Sequence, residues 1–423
     1  MESYRLSPQQ KHLWTLWRTS PDACWSRCVV RLKGPVRPDA LESAVQEAVR
    51  RHGILRTTFQ RKRGLKVPLQ VIDDQGAAAW REIDVRDRSE EQKEEALRDL
   101  LHAGPPPASS VEEGPVFHAV LLRLGPESAL LGLALPALCA DARTLGNLVG
   151  EILAPAREAD DPAQYEQFSE WQNELLEESP DEAERYWNSL SGEARTSLRL
   201  PLELSAEGER ESSFQPRFAP VAFTPETAAG IDSLARERES EAAVVLLAGW
   251  QALLHRLSGR AELTLSVVLD NRGQEDLESM AGPLAKALLV LCRVTGGESF
   301  ADLVRKCHGA LQEVSDLVEV LPPGLQGESL RPSDSPVGCD IREWPSPAGI
   351  ESSLEALSTC LERCKLRLEC VREGDRWLAG LSYDPLVFTA EDMERTARRF
   401  EALIATAVRS PGTAVGELPI VGQ

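Results

Sequence analysis

The segment Leu135-Pro136-Ala137-Leu138-Cys139-Ala140-Asp141-Ala142 joins a predicted strand to a predicted helix. Before it, residues 116–124 and 129–135 are apolar runs that flank a Gly125-Pro126 turn, and they predict a pair of strands. After it, apolar side chains recur at helical spacing, at Leu145, Leu148, Val149 and Ile152. The segment is therefore a strand-to-helix turn, and only its Cys and its Asp have side chains that titrate.

Elements of the same kinds occur on both sides of this turn. In the first half, residues 27–33 predict a strand, and Pro38 begins a helix for which Gly53 is the expected stop. A long helical segment, residues 165–190, is the predicted connection to the second half. The second half then predicts strands at 219–223 and 262–269, helices at 226–237, 242–257, 300–320 and 389–408, and a hairpin of 365–371 with 377–383.

This repetition predicts two mixed α/β domains, each a lobe of α+β layers. A chain of 423 residues is too long for one ordinary core, and two domains of roughly 200 residues are the usual solution. We place the boundary near residues 178–181. The predicted lobes are therefore residues 1–178 and residues 179–423.

Composition excludes several classes of function. With 47 Lys and Arg against 67 Asp and Glu, the net charge is −20 and the pI is about 4.9. Such a chain repels phosphate backbones and anionic lipids, so we expect neither nucleic acid nor a membrane surface as a partner. The sequence contains no apolar run of about 18 residues and no signal peptide, and we expect a cytoplasmic protein.

Nine cysteines are scattered along the chain. Cys24 with Cys28 and Cys360 with Cys364 have i, i+4 spacing, but no second pair of ligands lies beside either. A zinc site is therefore not expected, and buried reduced thiols are the simplest interpretation. Because the chain also lacks a Gly-rich phosphate loop, we expect no metal and no directly bound cofactor.

Five short blocks of the sequence carry a family resemblance. In chain order they span residues 4–14, 51–59, 165–172, 186–187 and 280–288. The second block, for example, reads Arg-His-Gly-Ile-Leu-Arg-Thr-Thr-Phe and departs from the motif Arg-His-Glu-x-Leu-Arg-Thr-x-Phe only at Gly53. In type and order these blocks resemble the condensation domains of nonribosomal peptide synthetases. Two later blocks, at residues 312–320 and 332–341, are poor matches.

In that family the turn after the strand reads His-His-x-x-x-Asp-Gly, and its second His faces the bond being made. Here the Asp is kept as Asp141, whereas the His positions read Pro136 and Ala137 and the Gly reads Ala142. Neither a pyrrolidine ring nor a methyl group can accept a proton. The resemblance therefore predicts a condensation domain that has lost or changed its chemistry.

The resemblance also implies a fold and a set of contacts. It implies two lobes similar to chloramphenicol acetyltransferase, arranged as a V-shaped pseudo-dimer with a tunnel between them. It implies a buried ion pair between Asp141 and Arg272, in which the Arg belongs to the second lobe. It further implies that Cys139, Gly282 and Lys286 line the tunnel, with Lys286 and Ala287 in place of a polar Asn-Thr pair.

Alternative catalytic groups are weak in this sequence. None of the six His residues lies in the segment 135–142, and no spacing brings two of them to a nucleophile. Cys139 is either a functional thiol or a small buried side chain, and the second interpretation is favoured. Pro136 argues against heterocyclisation relatives, which have Asp there, and the missing His residues argue against epimerisation relatives.

Three hypotheses remain open. The chain is a docking platform that recruits a tailoring oxygenase to an amino acid on a carrier protein, or an active variant that forms an amide or ester bond by positioning alone, or a structural spacer in a synthetase. The expected partners are a peptidyl or aminoacyl carrier protein, whose phosphopantetheine holds the substrate, and neighbouring synthetase domains. The sequence indicates neither the amino acid nor the position in the assembly line.

Overall fold

The computed structural model describes residues 2–102, 110–154, 162–178, 185–186, 188, 198–204, 214–323, 334–345 and 349–420. The helices are α1 (Pro8–Thr19), α2 (Pro38–Arg51), α3 (Glu90–His102), α4 (Ala142–Leu153), α5 (Tyr165–Glu178), α6 (Pro225–Glu237), α7 (Ala242–Ser258), α8 (Glu275–Glu278), α9 (Phe300–Ser315) and α10 (Ala390–Arg409).

The strands form three sheets among the described residues. They are β1 (Ser3–Tyr4), β2 (Trp25–Lys33), β3 (Thr57–Gln60), β4 (Leu69–Ile72), β5 (Ala79–Asp84), β6 (His118–Gly125), β7 (Ser128–Pro136), β8 (Arg217–Val221), β9 (Glu262–Leu269), β10 (Lys286–Arg293), β11 (Val337–Glu343), β12 (Ser352–Ser358), β13 (Leu366–Glu373) and β14 (Arg376–Tyr383). This mixture of helices and sheets confirms the α/β fold class.

The chain divides into two compact units. The first comprises residues 1–178, 270–285 and 344–362, and the second comprises residues 179–269, 286–343 and 363–423. The segments 270–285 and 344–362 therefore do not belong to the lobe in which the sequence placed them. The physical reason is bonding between segments far apart in sequence, because β12 pairs antiparallel with β2 and Arg272 bonds to Asp141. The V-shaped arrangement stays a prediction.

The first unit is built on a five-stranded sheet in the order β12-β2-β7-β6-β5, with a smaller sheet β1-β4-β3. In the larger sheet only the β5–β6 pair is parallel. Helix α3 packs its apolar face on this sheet through Leu97 and Leu100, which lie against the buried cluster that includes Leu122 and Leu130. Since β2 and β7 lie in the centre, the turn after β7 begins inside the unit.

The second unit is built on a six-stranded sheet in the order β10-β9-β11-β13-β14-β8. Helix α7 is apolar on nearly all sides, as expected of a buried helix, and is capped after Ser258 by Gly259, whose φ is +72°. Its Trp250 is fully buried, packs edge-on against Phe400 and donates Nε1–H to Gly338 O at 3.0 Å. This helix is the centre of the second core.

Most predicted elements are present, with shifted ends. The hairpin of β13 and β14 turns at Gly374, and Thr389 caps α10 by accepting from Asp392 N. Helix α2 ends at Arg51 with His52 as its C-cap, so Gly53 follows the helix as predicted, but it begins a 3-10 turn and does not have a positive φ. Helix α9 ends at Ser315 and not at residue 320. Of the predicted helix 165–190, residues 179–184, 187 and 189–190 lie outside the described residues.

No helix among the described residues combines the length and the apolar character needed to span a bilayer.

Candidate functional site

The turn after β7 is buried over its whole length. Residues 137–142 are each at most 2% exposed. Pro136 is the last residue of β7 and pairs with Trp25, and Ala137 N donates to Cys24 O at 2.8 Å. The chain then turns, and extended backbone at Asp141 begins helix α4. The segment is therefore part of the core of the first unit, and its side chains face packed protein.

The carboxylate of Asp141 accepts five hydrogen bonds. Its Oδ1 accepts from Thr144 N at 2.8 Å and from Arg272 Nη2 at 3.0 Å. Its Oδ2 accepts from Arg272 Nη1 at 2.9 Å, from Leu284 N at 3.0 Å and from Ala285 N at 2.9 Å. The predicted Asp141–Arg272 ion pair is present, and it is bidentate. Both partners lie in the first unit, because residues 270–285 pack there.

The guanidinium of Arg272 has further acceptors. Its side chain is only 2% exposed, and Nη1 also bonds to Asp270 Oδ1 at 2.7 Å. Nη2 donates to Thr144 Oγ1 at 3.0 Å and to Gly282 O at 3.1 Å. Burial lowers the pKa of Arg272, but the charges of Asp141 and Asp270 outweigh this and raise it. The guanidinium thus fixes the segment 280–285 against the start of α4.

The charge on Asp141 is stabilised by these contacts. Burial raises the pKa of this carboxyl group. The opposing charge of Arg272 and the hydrogen bonds from Arg272, Thr144 and Ala285 outweigh burial, and the pKa is lower than its ordinary value. Asp141 is therefore an ionised structural group whose oxygens are all occupied, and it is poorly suited to act as a base.

Gly282 completes the same network from the other side. Its N–H donates to Thr144 Oγ1 at 3.0 Å, and its carbonyl accepts from the same hydroxyl at 2.7 Å. Its φ is +148°, and the ring of Tyr165 lies directly over its Cα. The Tyr165 hydroxyl reaches Ser7 Oγ at 2.7 Å. Burial raises the pKa of Tyr165, so this hydroxyl stays protonated.

Polar side chains that were not among the predicted site residues hold the backbone of the turn. Gln10 Nε2 donates to Leu138 O at 3.0 Å and to Gln70 Oε1 at 2.9 Å. Ser26 Oγ donates to Ala140 O at 2.5 Å. Gln10 lies in the first resembling block, but Ser26 and Gln70 lie in strands where nothing in the sequence marks them. Their burial satisfies carbonyls of an irregular turn.

The turn contains no available proton acceptor. Cys139 is fully buried, and burial raises the pKa of its thiol, so it is a neutral thiol. The His residues lie elsewhere, and several have partners of their own. His52 contacts Glu151, His308 contacts Ser240, His255 contacts Arg260 O and His118 packs against Trp25. Burial lowers the pKa of His12 and of His118.

Lys286 lies in the second unit at the start of β10, and its side chain is fully buried. The Nζ donates to three backbone carbonyls in the turn after α9, at Val318 (2.7 Å), Glu319 (3.1 Å) and Leu321 (3.1 Å). These three acceptors match the three protons of an ammonium group. Lys286 therefore ties β10 to that turn, while the lining of a tunnel by Cys139, Gly282 and Lys286 stays a prediction.

Lys286 should make stability depend on pH. Burial lowers the pKa of Lys286 to about 7, partly opposed by Glu319, whereas in the unfolded chain it is about 10.4. Between these values the unfolded state binds more protons, so stability rises with pH from about 7 to 10. We expect the unfolding free energy of the native chain to gain roughly 1–3 kcal/mol relative to Lys286→Met between pH 6.5 and 9.

Urea unfolding at several pH values measures this difference. Lys33→Met is the matched control, because the Lys33 side chain is 57% exposed and pairs with the exposed Glu351. A constant difference between the native chain and Lys286→Met across this range would contradict the prediction.

The described residues contain no group of three or more His, Cys, Asp or Glu side chains that could hold a metal ion.

Comparison with known proteins gives consistent matches. The family model "Condensation domain" matches residues 1–320. A linear gramicidin synthase polypeptide of Brevibacillus parabrevis is 25% identical over 446 aligned residues, which cover 99% of this chain and 9% of that protein. Cyclosporin synthetase simA of Tolypocladium inflatum is 27% identical over 324 residues, which cover 74% of this chain and 2% of that protein. The chain thus spans a small part of these curated relatives.

Solved structures share the fold of the whole chain. The condensation domain of the monacolin K polyketide synthase MokA has a TM-score of 0.84 at 18% identity, covering 98% of this chain and 99% of that one. The first condensation domain of the calcium-dependent antibiotic synthetase, with a substrate analogue, has a TM-score of 0.81 at 18% identity and full coverage of both. The teicoplanin X-domain, in complex with OxyB, has a TM-score of 0.75 at 19% identity, covering 100% and 97%.

Proposed function

Because the chain belongs to the condensation-domain family, we propose that it is a condensation-like domain of a nonribosomal peptide synthetase that does not catalyse His-dependent condensation. We further propose that it serves as a docking platform for a carrier protein and a tailoring enzyme. The curated relatives that it resembles are themselves peptide synthetases, which supports the assembly-line role. A role within such a synthetase also predicts a cytoplasmic location for the chain.

One observation carries the loss of catalysis. The residues at the motif positions are Pro136, Ala137, Asp141 and Ala142, and the only charged one among them is fully occupied by Arg272 and backbone N–H groups. General base catalysis needs a group that can accept a proton within hydrogen-bond reach of the nucleophile. Proline and alanine side chains cannot do so, and Cys139 is held as a neutral thiol.

The intact framework supports a retained binding role. The turn keeps its conformation although the His side chains of the motif are missing. Its backbone is held by the Asp141–Arg272 ion pair, by the contacts of Gly282 and by those of Gln10. If either partner of this buried ion pair were missing, the remaining charge would be strongly unfavourable. The five hydrogen bonds to the carboxylate therefore indicate that the conformation of the turn is maintained. We interpret this as a fold maintained for its surfaces. The X-domain bound to OxyB offers a precedent for such a surface on the same fold.

The partners follow from this proposal. A carrier protein would present the amino acid as a thioester on phosphopantetheine, and neighbouring synthetase domains would hold both in reach. A four-domain nonribosomal peptide synthetase whose structure covers 100% of this chain shows the fold embedded among other domains. We expect no cofactor on this chain itself. The tailoring enzyme would be an oxygenase that acts on the tethered amino acid.

A second candidate is an active domain that forms the amide or ester bond by positioning alone. The preserved Asp141 network favours it, since a substrate channel needs the same framework. Orientation can contribute roughly 7–11 kcal/mol to lowering a barrier, whereas a general base typically contributes about 10²–10⁴-fold in rate. Loss of the His therefore need not abolish turnover. The structural-spacer hypothesis predicts neither product nor partner.

A reconstituted assay separates the three candidates. Donor and acceptor carrier proteins are loaded with aminoacyl-phosphopantetheine, and dipeptide is measured by mass spectrometry with and without the chain. We expect no dipeptide above the domain-free background, together with a measurable complex between the chain and a carrier protein or an oxygenase from the same pathway. The reason is that Ala137 offers only a methyl group where an imidazole would meet the attacking amine.

Two controls make the assay decisive. A condensation domain with both His residues shows that the loaded carriers are competent. Ala137→His should stay inactive, because the turn is packed and a single imidazole at Ala137 still lacks the neighbouring motif residues. Rapid dipeptide formation by the native chain would contradict the docking proposal and support positioning catalysis. Absence of both product and complex would support the spacer.

A further inference from the structure

Two thiols in the second unit lie within contact distance. Cys292 is on β10 and Cys307 is on α9, and their Sγ atoms are 3.6 Å apart. Neither is in a disulfide, and both side chains are buried. A disulfide requires about 2.05 Å between the sulfur atoms, so the pair must close by roughly 1.5 Å.

We propose that Cys292 and Cys307 form a site of reversible disulfide modification. The oxidant is a hydroperoxide or a disulfide. With hydrogen peroxide, the Cys292 thiolate attacks one oxygen atom, the O–O bond breaks and a sulfenic acid forms with release of water. The Cys307 thiol then attacks that sulfur, the S–S bond forms and a second water leaves. Two thiols and one peroxide thus give one disulfide and two waters.

The surroundings assign the attacking role to Cys292. The hydrogen bond between the two thiols lowers the pKa of Cys292 against the effect of burial. The cation of Lys306 acts in the same direction, while Glu298 opposes it. Lys306 reaches this place because its Nζ contacts Glu298 at 2.6 Å and Arg293 O at 3.4 Å. A thiolate beside a cation is the reactive form of cysteine.

The oxidant should also reach the Cys292 sulfur more easily than the burial of this side chain suggests. Strand β10 is an edge strand of its sheet, and Cys292 precedes Arg293, whose side chain is 75% exposed. Local opening of this end of the strand would expose the sulfur without unfolding the core. The bond that forms would join β10 to α9, and Lys286 already ties the start of β10 to the turn that follows α9. Oxidation should therefore make this strand–helix pair more rigid.

A second thiol pair provides an internal comparison. Cys24 and Cys360 lie in the first unit with their Sγ atoms 3.9 Å apart, which is nearly the same separation. There, the hydrogen bond with Cys360 and burial raise the pKa of Cys24 well above its ordinary value, as the hydrogen bond with Cys292 and burial do for Cys307 in the first pair. If separation alone decided reactivity, the two pairs would oxidise at similar rates. We expect the Cys292–Cys307 pair to oxidise about tenfold faster, because Cys292 lies on an edge strand next to the exposed Arg293 and the Lys306 cation favours its thiolate.

The test uses the full native chain. Reduced protein is treated with hydrogen peroxide for increasing times, unfolded, alkylated and cleaved after Lys, Arg and Glu for mass spectrometry. Cleavage isolates residues 287–293 and 307–313, each with one cysteine, and separates them from residues 19–27, 356–362 and 329–342. We expect 287–293 linked to 307–313, about 2 Da lighter than the sum of the two reduced peptides, and full release by dithiothreitol.

Variants assign the roles of the two sulfurs. In Cys307→Ser, Cys292 should still be oxidised and should accumulate as a sulfenic acid that dimedone traps. In Cys292→Ser, Cys307 should stay reduced over the same time. Cys24→Ser is the matched control and should leave the 287–293/307–313 link unchanged. The proposal is overturned if both peptides stay alkylated at excess peroxide, if Cys24–Cys360 forms as fast, or if Cys307 pairs instead with the neighbouring Cys339.

Discussion

Asp141→Ala should lower the free energy of unfolding by about 3–5 kcal/mol, as should Arg272→Ala. Both side chains are almost fully buried, at 0% and 2% exposure, and each substitution leaves the other charge without its partner. In Asp141→Ala the N–H groups of Leu284 and Ala285 also lose their acceptor. Urea unfolding of the purified chain, followed by far-UV circular dichroism, measures the change.

A matched control is available on the same guanidinium. Asp270 bonds to Arg272 Nη1 at 2.7 Å, but its side chain is 46% exposed. Asp270→Ala should therefore cost only about 0–1 kcal/mol, as is typical of exposed ion pairs. If Asp141→Ala and Asp270→Ala lower the unfolding free energy equally, burial does not strengthen the contribution of the Asp141 contact. Our interpretation of the turn would then be wrong.

Acid should remove the difference in unfolding free energy between the native chain and Asp141→Ala. The folded-state pKa of Asp141 is lowered, so its contribution is present above the unfolded-state pKa of about 3.9 and is lost as pH falls through the folded value. The two unfolding free energies should therefore converge below about pH 4 and stay apart at pH 7. Convergence at higher pH would point to a different titrating group.

How far the sequence predicts this molecule differs between its parts. The resemblance predicted the Asp141–Arg272 pair, because a kept Asp and a kept Arg at two motif positions imply each other. It did not predict that Leu284 and Ala285 also bind the carboxylate, since backbone donors leave no trace in residue identity. For the same reason the carbonyl acceptors of Lys286 were missed. The strand Lys286–Arg293 is so apolar that a buried lysine could have been suspected, but not its partners.

The unit boundaries show a second limit. Strand β12 reads Ser-Ser-Leu-Glu-Ala-Leu-Ser and lies at the edge of its sheet, with a register shift opposite β2. Edge strands are half exposed, so apolar and polar residues alternate only weakly along them. The periodicity of the sequence therefore does not reveal them. The membership of residues 344–362 in the first unit follows from long-range pairing with β2. Local sequence patterns report burial along one segment, and they do not report which distant strand provides the hydrogen bonds.

Gly282→Ala should be the other strongly destabilising change, with an expected loss of about 2–5 kcal/mol in unfolding free energy. A Cβ at this position would lie 2.0 Å from Tyr165 Cδ2, and the φ of +148° is strained for any residue with a Cβ. The ring cannot simply move away, because its hydroxyl is bonded to Ser7. The backbone must therefore shift, and with it the carbonyl that Thr144 and Arg272 use.

Gly273 provides the matched control, nine residues earlier in the same segment. A Cβ there would meet nothing within 4 Å, so Gly273→Ala should change stability by no more than about 0.5 kcal/mol. Equal stabilities of Gly282→Ala and Gly273→Ala would show that the tyrosine ring does not fix this backbone. The network around Asp141 would then have to be held by the ion pair and the backbone donors, without the tyrosine ring.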